Sequence, residues 1–398
     1  MTQTLIDRAT ALGPDLVRLR RDLHRHPELG FREERTAALL ADTVEALGYR
    51  VRRGVGRTGV VADLESGDGP TVALRADMDA LPIQEVGEHE YRSQAPGVMH
   101  ACGHDAHCAG LVGAARLLAE LAREGALPPG RVRLLFQPSE EGCDDEGLSG
   151  AMRMVADGAM EGVDYVLGLH VGGHLPSGVL FFHEGAMLAG SEELAVDVHG
   201  RSSHAARPEQ GVDALVLACQ GVLAAQQAVS RRLGPHEQGV VTFGRIEGGT
   251  AHNVVADRVR VLGTLRYFDP DVRERLVEGV RGAFEGLERQ GARVEVRVGP
   301  GYPPLINDAQ VTRTVRAEAE ALWGPDRVLE ATPMMGAEDF AVLAREAPGT
   351  FFWLGAALPD PREHHSPTFD IDETVLAMGA ATLAAGALRL LRGAGPGA

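Results

Sequence analysis

The stretch MHACGHDAHCAG, residues 99 to 110, packs three histidines, two cysteines and one aspartate into twelve positions. Thiol redox, a thiolate nucleophile and metal binding all draw on such residues. Redox is the weakest of the three. C-x-x-C and C-x-x-C-H are absent, and Cys102, Cys108, Cys143 and Cys219 are too few and too unevenly spaced for a disulfide framework. A nucleophile stays open, with His104 or His107 activating Cys102. The C-x-H spacing of Cys102 and His104 favours a metal, for which thiolate and imidazole are both common donors. FQPSEEG sets Glu140 beside Glu141, and one carboxylate as ligand with its neighbour as proton carrier recurs in hydrolytic metal centres. His170 in GLHV and the pair in HHSP, residues 364 to 367, are further candidates. Any one of these alone would read as a structural histidine or a solvated turn.

The elements that must position these residues follow from the periodicity. Short β-rich runs at 49–55, 60–64, 71–76, 131–136 and 164–171 mostly alternate with helical patterns, which predicts an α/β fold with a mostly parallel sheet. A helix is predicted over 106–124, with apolar positions at Leu111, Leu117, Leu118 and Leu121 and with Asp105 as N-cap. Cys102 and His104 then precede that helix, Glu140 and Glu141 follow RVRLLF, His170 ends DYVLGLHV, and HHSP follows TFFWLGA. These connections fall beyond the carboxyl ends of strands, where open α/β sheets bind ligands.

Between 187 and 299 the pattern changes. ELAVDVHG, an Ala-rich helix over 211–233, QGVVTFGRIEG, RVRVLGTLRYF, a helix over 271–289 and ARVEVRVG give the β-α-β-β-α-β order of a ferredoxin-like unit, able to fold as an insertion. The expected organisation is a first domain of residues 1–186 and 300–398, interrupted by a second at 187–299. A helix over about 372–392 completes the first, and GAGPGA is expected to be a loose tail.

Composition narrows the partners. A chain of 398 residues exceeds what one core usually supports. The formal charge of −17 opposes nucleic acid and anionic membrane surfaces, so a small-molecule partner is expected. All 39 basic residues are Arg, which removes Walker-A, Schiff-base and pyridoxal-phosphate lysines. The apolar run VLAMGAATLAAGALRLL is broken by Gly and ends in Arg, as a packed helix does rather than a membrane span. The N-terminus lacks the charge and cleavage pattern of a secretory signal, and a cytoplasmic location is expected.

RADMDALP (75 to 82), MHACGHDAH (99 to 107), FQPSEEG (136 to 142), GLHV (168 to 171), HNVV (252 to 255), GAEDFA (336 to 341) and HHSPTFDID (364 to 372) occur in that order. Together they make the chain resemble the aminoacylase and carboxypeptidase-G type of di-metal peptidases. Within that type they are similar to the amidohydrolase branch, which includes hippurate hydrolases and plant indole-acetyl-amino-acid hydrolases. The resemblance covers nearly the whole chain. It implies a catalytic domain holding two divalent metal ions and an inserted lid domain that also makes a homodimer. Carried over residue by residue, it implies metal ligation by Cys102, His104, Glu141, His170 and His365, with Cys102 where other branches use a bridging aspartate. The usual His-x-Asp is here Asp77-Met78-Asp79, so Asp79 is expected to support the ligands and not to join them. Glu140 is implied as general base and acid, His204 of the lid as the oxyanion donor, and Asn253 and Arg266 as holders of a substrate carboxylate. The donor set suits Zn, Mn, Co or Ni without choosing among them.

The activity this implies is cleavage of the amide bond of N-acyl-L-amino acids. A dipeptidase or N-carbamoyl-amino-acid hydrolase on the same scaffold is the nearest alternative. A non-catalytic protein that binds metal or an amino-acid conjugate is the alternative of another class, and retention of Glu140 with a full ligand set speaks against it. Two departures adjoin the expected substrate cleft. The lid reads GRSSHAARPEQ, with Glu209 where the branch commonly has a second histidine, and GLHV is followed by GGH where Trp-Pro is frequent.

Overall fold

Five of the apolar runs form strands close to their expected places, Arg50–Val55, Gly59–Glu65, Thr71–Asp77, Arg131–Gln137 and Tyr165–Gly172, in the computed structural model, which describes residues 2–393. Residues 394–398 of the expected GAGPGA tail lie outside the described residues. With Gly349–Gly355 and the short Leu180–Phe182 and Val328–Glu330, these strands make one eight-stranded sheet. Its centre, from Arg131–Gln137 through Thr71–Asp77 and Tyr165–Gly172 to Gly349–Gly355, is parallel. Thr71–Asp77 is buried at every position, as a parallel strand covered on both faces must be. Antiparallel pairing enters only towards the edges, through Arg50–Val55 with Gly59–Glu65, Gly59–Glu65 with Arg131–Gln137, and Leu180–Phe182 with Gly349–Gly355.

The helix expected over 106–124 spans His104–Arg123, and Asp105 is not its N-cap. Gly103 takes that position. Asp105 lies in the first turn, where its carboxylate meets Arg20 Nε at 2.8 Å and His24 Nδ1 at 2.7 Å. A buried cation in need of a partner outweighs the local capping preference. The final helix is Leu376–Leu391, entered through a 3-10 turn at Glu373–Val375. The segment Glu373–Leu391 is long and apolar enough to cross a membrane, yet most of it is buried inside the structure. It packs against the helices Thr2–Arg25 and His104–Arg123, which its many Ala and Gly residues allow to approach closely.

Contacts divide the chain into two units, Met1–Met187 with Ile306–Thr332 and Asp339–Ala398, and Leu188–Leu305 with Pro333–Glu338. The expected boundary at 299 falls early, because the strand Arg293–Tyr302 continues and pairs Gly301 and Tyr302 with Glu192 and Ser191. Pro333–Glu338, expected in the first domain, joins the second unit through the Met334 and Gly336 carbonyls, which accept from Ala189 N. The second unit has an antiparallel sheet in the order Arg293–Tyr302, Gly190–His199, Arg258–Tyr267, Gly239–Gly248, with helices Ala214–Ala225, Gln227–Arg232 and Pro270–Glu285. The helix expected over 211–233 is thus two helices meeting at Gln226, the first capped by the Asp213 side chain.

Arg20 is completely buried and also pairs with Asp370 at 3.0 Å and Glu373 at 3.2 Å. Burial alone would raise the Asp105 carboxyl, but Arg20 and His24 outweigh it and hold it far below the usual carboxylate range. Arg20→Met, which takes the guanidinium from the buried carboxylates of Asp105 and Asp370, should cost about 3–5 kcal/mol at neutral pH. The wild-type advantage should fade as pH falls through the carboxylate range and below it, because the unfolded chain takes up protons there that the folded protein, with its depressed Asp105, does not. Urea unfolding followed by tryptophan fluorescence measures this in the first unit alone, since Trp323 and Trp353 both belong to it.

Candidate metal centre

The end of the strand Thr71–Asp77 meets the start of the helix His104–Arg123, and hydrogen bonds there set the tautomer of each imidazole. His104 Nδ1 lies 2.9 Å from the Asp79 carbonyl and 3.2 Å from Asp79 Oδ1. Nδ1 therefore carries the donated hydrogen. Nε2 is buried and has no hydrogen-bond partner. Asp79 Oδ2 accepts from Glu141 N at 2.9 Å, so one carboxylate orients His104 and fixes the backbone of Glu141. His170 donates from Nδ1 to the Val171 carbonyl at 2.8 Å and leaves Nε2 3.4 Å from Cys102 Sγ. His365 Nε2 lies 3.0 Å from Glu141 Oε1.

Three overlapping groups gather these donors. One donor atom from each of Cys102, Glu141 and His365 lies within 4.8 Å of the others, as do those of Cys102, His170 and His364 and those of His104, Glu140 and Glu141. The structure thus brings all five expected ligands, with Glu140, to one cluster. Two further imidazoles border it but have no lone pair to give. His107 meets Asp77 Oδ1 through Nδ1 at 2.6 Å and accepts from Val171 N through Nε2 at 2.9 Å. His364 accepts from Gly173 N through Nε2 at 3.2 Å, so its Nδ1 carries the hydrogen that points to Cys102 Sγ at 3.7 Å.

The electrostatics of the cluster call for a cation. Burial would lower the pKa of His104, but Asp77 and Asp79 outweigh burial and bring it up to about 10. Burial and then the Glu141 and Glu140 carboxylates push the Cys102 thiol up. A nucleophilic thiolate needs the opposite field. A divalent ion fits these residues: it would give the orphaned His104 Nε2 a partner, displace the proton held there, and stabilise the Cys102 thiolate. The Glu140 side chain is held from one side by the Asp339 N–H, 3.4 Å from Oε1.

His204, Asn253 and Arg266 belong to the second unit, where His204 and Asn253 are exposed and Arg266 is half-buried. His204 Nδ1 accepts from Ala206 N at 3.0 Å, which leaves Nε2–H as an outward donor. The Asn253 carbonyl accepts from Ala205 N at 3.1 Å, tying HNVV to the segment that carries His204. Arg266 Nη1 donates to the Met335 carbonyl at 3.1 Å.

Sequence reasoning did not single out Arg75 or Asp339, and it named Asp77 and His107 without their pairing at 2.6 Å. Arg75 gave one usable signal, a charge inside the apolar run TVALRA.

Residues 73–389 match the model of peptidase family M20/M25/M40. The chain is 36% identical over 384 residues to the N-acetyl-L-cysteine deacetylase of Bacillus subtilis, covering 96% of this chain and 89% of that one. It is 38% identical over 372 residues to thermostable carboxypeptidase 1 of Saccharolobus solfataricus, covering 92% of each. Among solved structures it is similar to Bacillus subtilis YXEP, described as a dinuclear metal-binding peptidase, with a TM-score of 0.82, 32% identity, and coverage of 96% of this chain and 99% of that one.

The raised Cys102 pKa leads to a direct test in metal-stripped protein lacking the exposed Cys143 and Cys219. Alkylation of Cys102 should be slow at pH 7, with the rate rising only above the ordinary thiol value of about 8.5. Added Mn²⁺ or Zn²⁺ should protect it, and Cys102→Ala should lower the bound metal. Rapid alkylation with an inflection below pH 7 would restore the nucleophile reading.

Proposed function

The chain belongs to peptidase family M20/M25/M40 and is a metal-dependent amidohydrolase, and within that class we propose that it cleaves N-acyl-L-amino acids to a carboxylate and a free amino acid. One observation carries this reading. A carboxylate outside the expected donor set, Glu140, stands beside donors already oriented by their own hydrogen bonds. Two divalent ions held by Cys102, His104, Glu141, His170 and His365 would polarise the amide carbonyl and acidify the attacking water. Glu140 takes the proton from that water as oxygen bonds to the carbonyl carbon. It returns the proton to nitrogen as the C–N bond breaks, so the amine leaves neutral. Arg266, by its fork, and Asn253 would hold the substrate carboxylate, and His204 Nε2–H would donate to the oxyanion. The named activity of the deacetylase relative supports an acyl-amino acid. The carboxypeptidase relative favours the alternative of a peptide substrate.

We further propose a homodimer formed through the second unit, and a cytoplasmic setting in which the free cysteines stay reduced. Val216, Leu223 and Ile246 are exposed there, Leu223 by 73%, and Gly239–Gly248 is an edge strand with one neighbour. Such a surface is a liability unless a partner covers it.

Release of free amine, screened over acyl-amino acids, dipeptides and carbamoyl-amino acids with Zn²⁺, Mn²⁺, Co²⁺ and Ni²⁺, should be highest for acyl-amino acids. With the best substrate, Glu140→Gln should keep its metal and lose at least about 10²- to 10⁴-fold in rate, the span of a lost acid–base group. Glu141→Gln should lose metal affinity instead. Equal metal loss in both variants would show that the two roles are assigned wrongly.

The dimer has its own measurement. If His204 serves the partner subunit, inactive His204→Ala mixed with inactive Glu140→Gln should regain activity once the subunits exchange. Exchanged mixtures that stay inactive would count against shared sites.

A further inference from the structure

Glu140 and Glu141 are joined to the strand Arg131–Gln137 by Pro138 and Ser139. Ser139 has a φ of 42°, in the left-handed region that a residue with a Cβ adopts only when its surroundings impose it. Its surroundings do so on every side. Ser139 N donates to Glu33 Oε1 at 2.8 Å, Ser139 Oγ donates to the Gly142 carbonyl at 3.1 Å, and the Ser139 carbonyl accepts from Gly150 N at 2.9 Å. A Cβ on Gly30 would lie 2.4 Å from Ser139 Oγ, and one on Gly150 would lie 1.5 Å from the Pro138 carbonyl oxygen. The turn is therefore walled by backbone that only glycine permits at that range.

Within these walls the only side chain that bonds the Ser139 backbone is Glu33, among the described residues. It comes from a distant segment, just ahead of the helix Glu34–Ala46, and is completely buried. Its second oxygen accepts from Thr58 Oγ1 at 2.5 Å, which fixes the carboxyl plane. Burying a carboxyl is costly, and burial is the main reason that Glu33 is pushed up to about 7. The two bonds it makes are what that cost secures.

We infer that Glu33 is a positioning residue of the metal centre: through the Ser139 N–H it holds the left-handed turn that delivers Glu140 and Glu141 to the donor cluster. The inference rests on the assignment of Glu141 as a ligand and Glu140 as the proton carrier.

The test compares Glu33→Ala, Glu33→Gln, Ser139→Gly and the double variant Glu33→Ala/Ser139→Gly. Each is followed by thermal unfolding, by calorimetric titration of the metal-stripped protein with Mn²⁺ alone, and by kcat and KM on the best acyl-amino acid. Glu33→Ala should bind Mn²⁺ about 10- to 100-fold more weakly, the usual loss when a group orienting a ligand is removed. Its kcat should fall with KM little changed. Glu33→Gln keeps an oxygen for the Ser139 N–H and should restore most of both. Glycine accepts the left-handed conformation without strain, so adding Glu33→Ala to Ser139→Gly should cost much less than adding it to the wild type. Should Glu33→Ala alone not fold, the comparison of the double variant with Ser139→Gly still decides. Wild-type metal affinity and turnover in Glu33→Ala would overturn the inference, as would a Glu33→Gln as impaired as Glu33→Ala, an equal loss in the two Ser139 backgrounds, or a double variant that fails to fold while Ser139→Gly folds. A wild-type protein that hydrolyses none of the substrates would sink the functional reading, while the Mn²⁺ isotherms would still judge Glu33.

Discussion

Arg75 comes from the middle of the strand Thr71–Asp77, and because its side chain is buried its charge must be matched by protein groups. It is matched by three segments at once: Nη1 meets Asp77 Oδ2 at 2.7 Å, Nε meets Gln137 Oε1 at 2.9 Å, and Nη2 meets Asp339 Oδ1 at 3.0 Å. Gln137 Nε2 donates to the same Asp339 oxygen at 2.7 Å, and Asp339 Oδ2 accepts from Ala151 N at 3.0 Å. Every one of these partners adjoins the site. Asp77 orients His107 and precedes Asp79, Gln137 precedes the turn to the glutamates, and the Asp339 N–H approaches Glu140. A guanidinium is planar and forked, so it fixes the mutual angles of its partners as well as their distances, which an ammonium would not do.

Above that floor the site is sorted by hydrogen-bond direction. Imidazoles His104, His107, His170 and His364 crowd together, and an unsorted cluster could bind metal in several ways. Backbone groups remove the ambiguity. The Val171 and Gly173 amides occupy one nitrogen each of His107 and His364, while the Asp79 and Val171 carbonyls leave Nε2 of His104 and His170 free to bind. Rings that cannot ligate still contribute, His107 by steadying Asp77 and the residue after His170, and His364 by presenting a hydrogen to the Cys102 sulfur. Such outer contacts fix ligand orientation and basicity.

Cys102 and His104 were legible as candidate ligands from their C-x-H spacing, whereas Glu141, His170 and His365 entered the set only through the family resemblance, since each alone reads as a solvated turn or a structural histidine. Strand and helix positions were legible from periodicity, usually to within two residues. The helix start was not, because Asp105 answers to Arg20, more than eighty residues away, and no local rule contains that pairing. The insertion boundary slipped for a similar reason, since Gly301 and Tyr302 are held in the second sheet by Glu192 and Ser191 and not by their own sequence. Glu33 is the clearest case. Its role exists only because Ser139 folds against it, and nothing in its neighbours distinguishes it from Glu34 or Arg35.

The helix Leu376–Leu391 lies deep in the first unit, against the helices Thr2–Arg25 and His104–Arg123, which precede it by about 250 residues or more. The order of synthesis then matters. The second unit is almost continuous in sequence and has nearly all its residues as soon as Leu305 has left the ribosome. The first unit must wait, with the strands Thr71–Asp77 and Tyr165–Gly172 and the helix Thr2–Arg25 lacking that cover, for a helix translated well after Leu305. His365 arrives only shortly before that segment, so the donor cluster also closes late. Translation stopped soon after Leu305 would leave the residues of the second unit attached to a first unit that lacks both His365 and its covering helix, an apolar remainder open to chaperones or proteases and without a complete donor cluster. The hydrolytic chemistry is thereby withheld until the helix Leu376–Leu391 has been made.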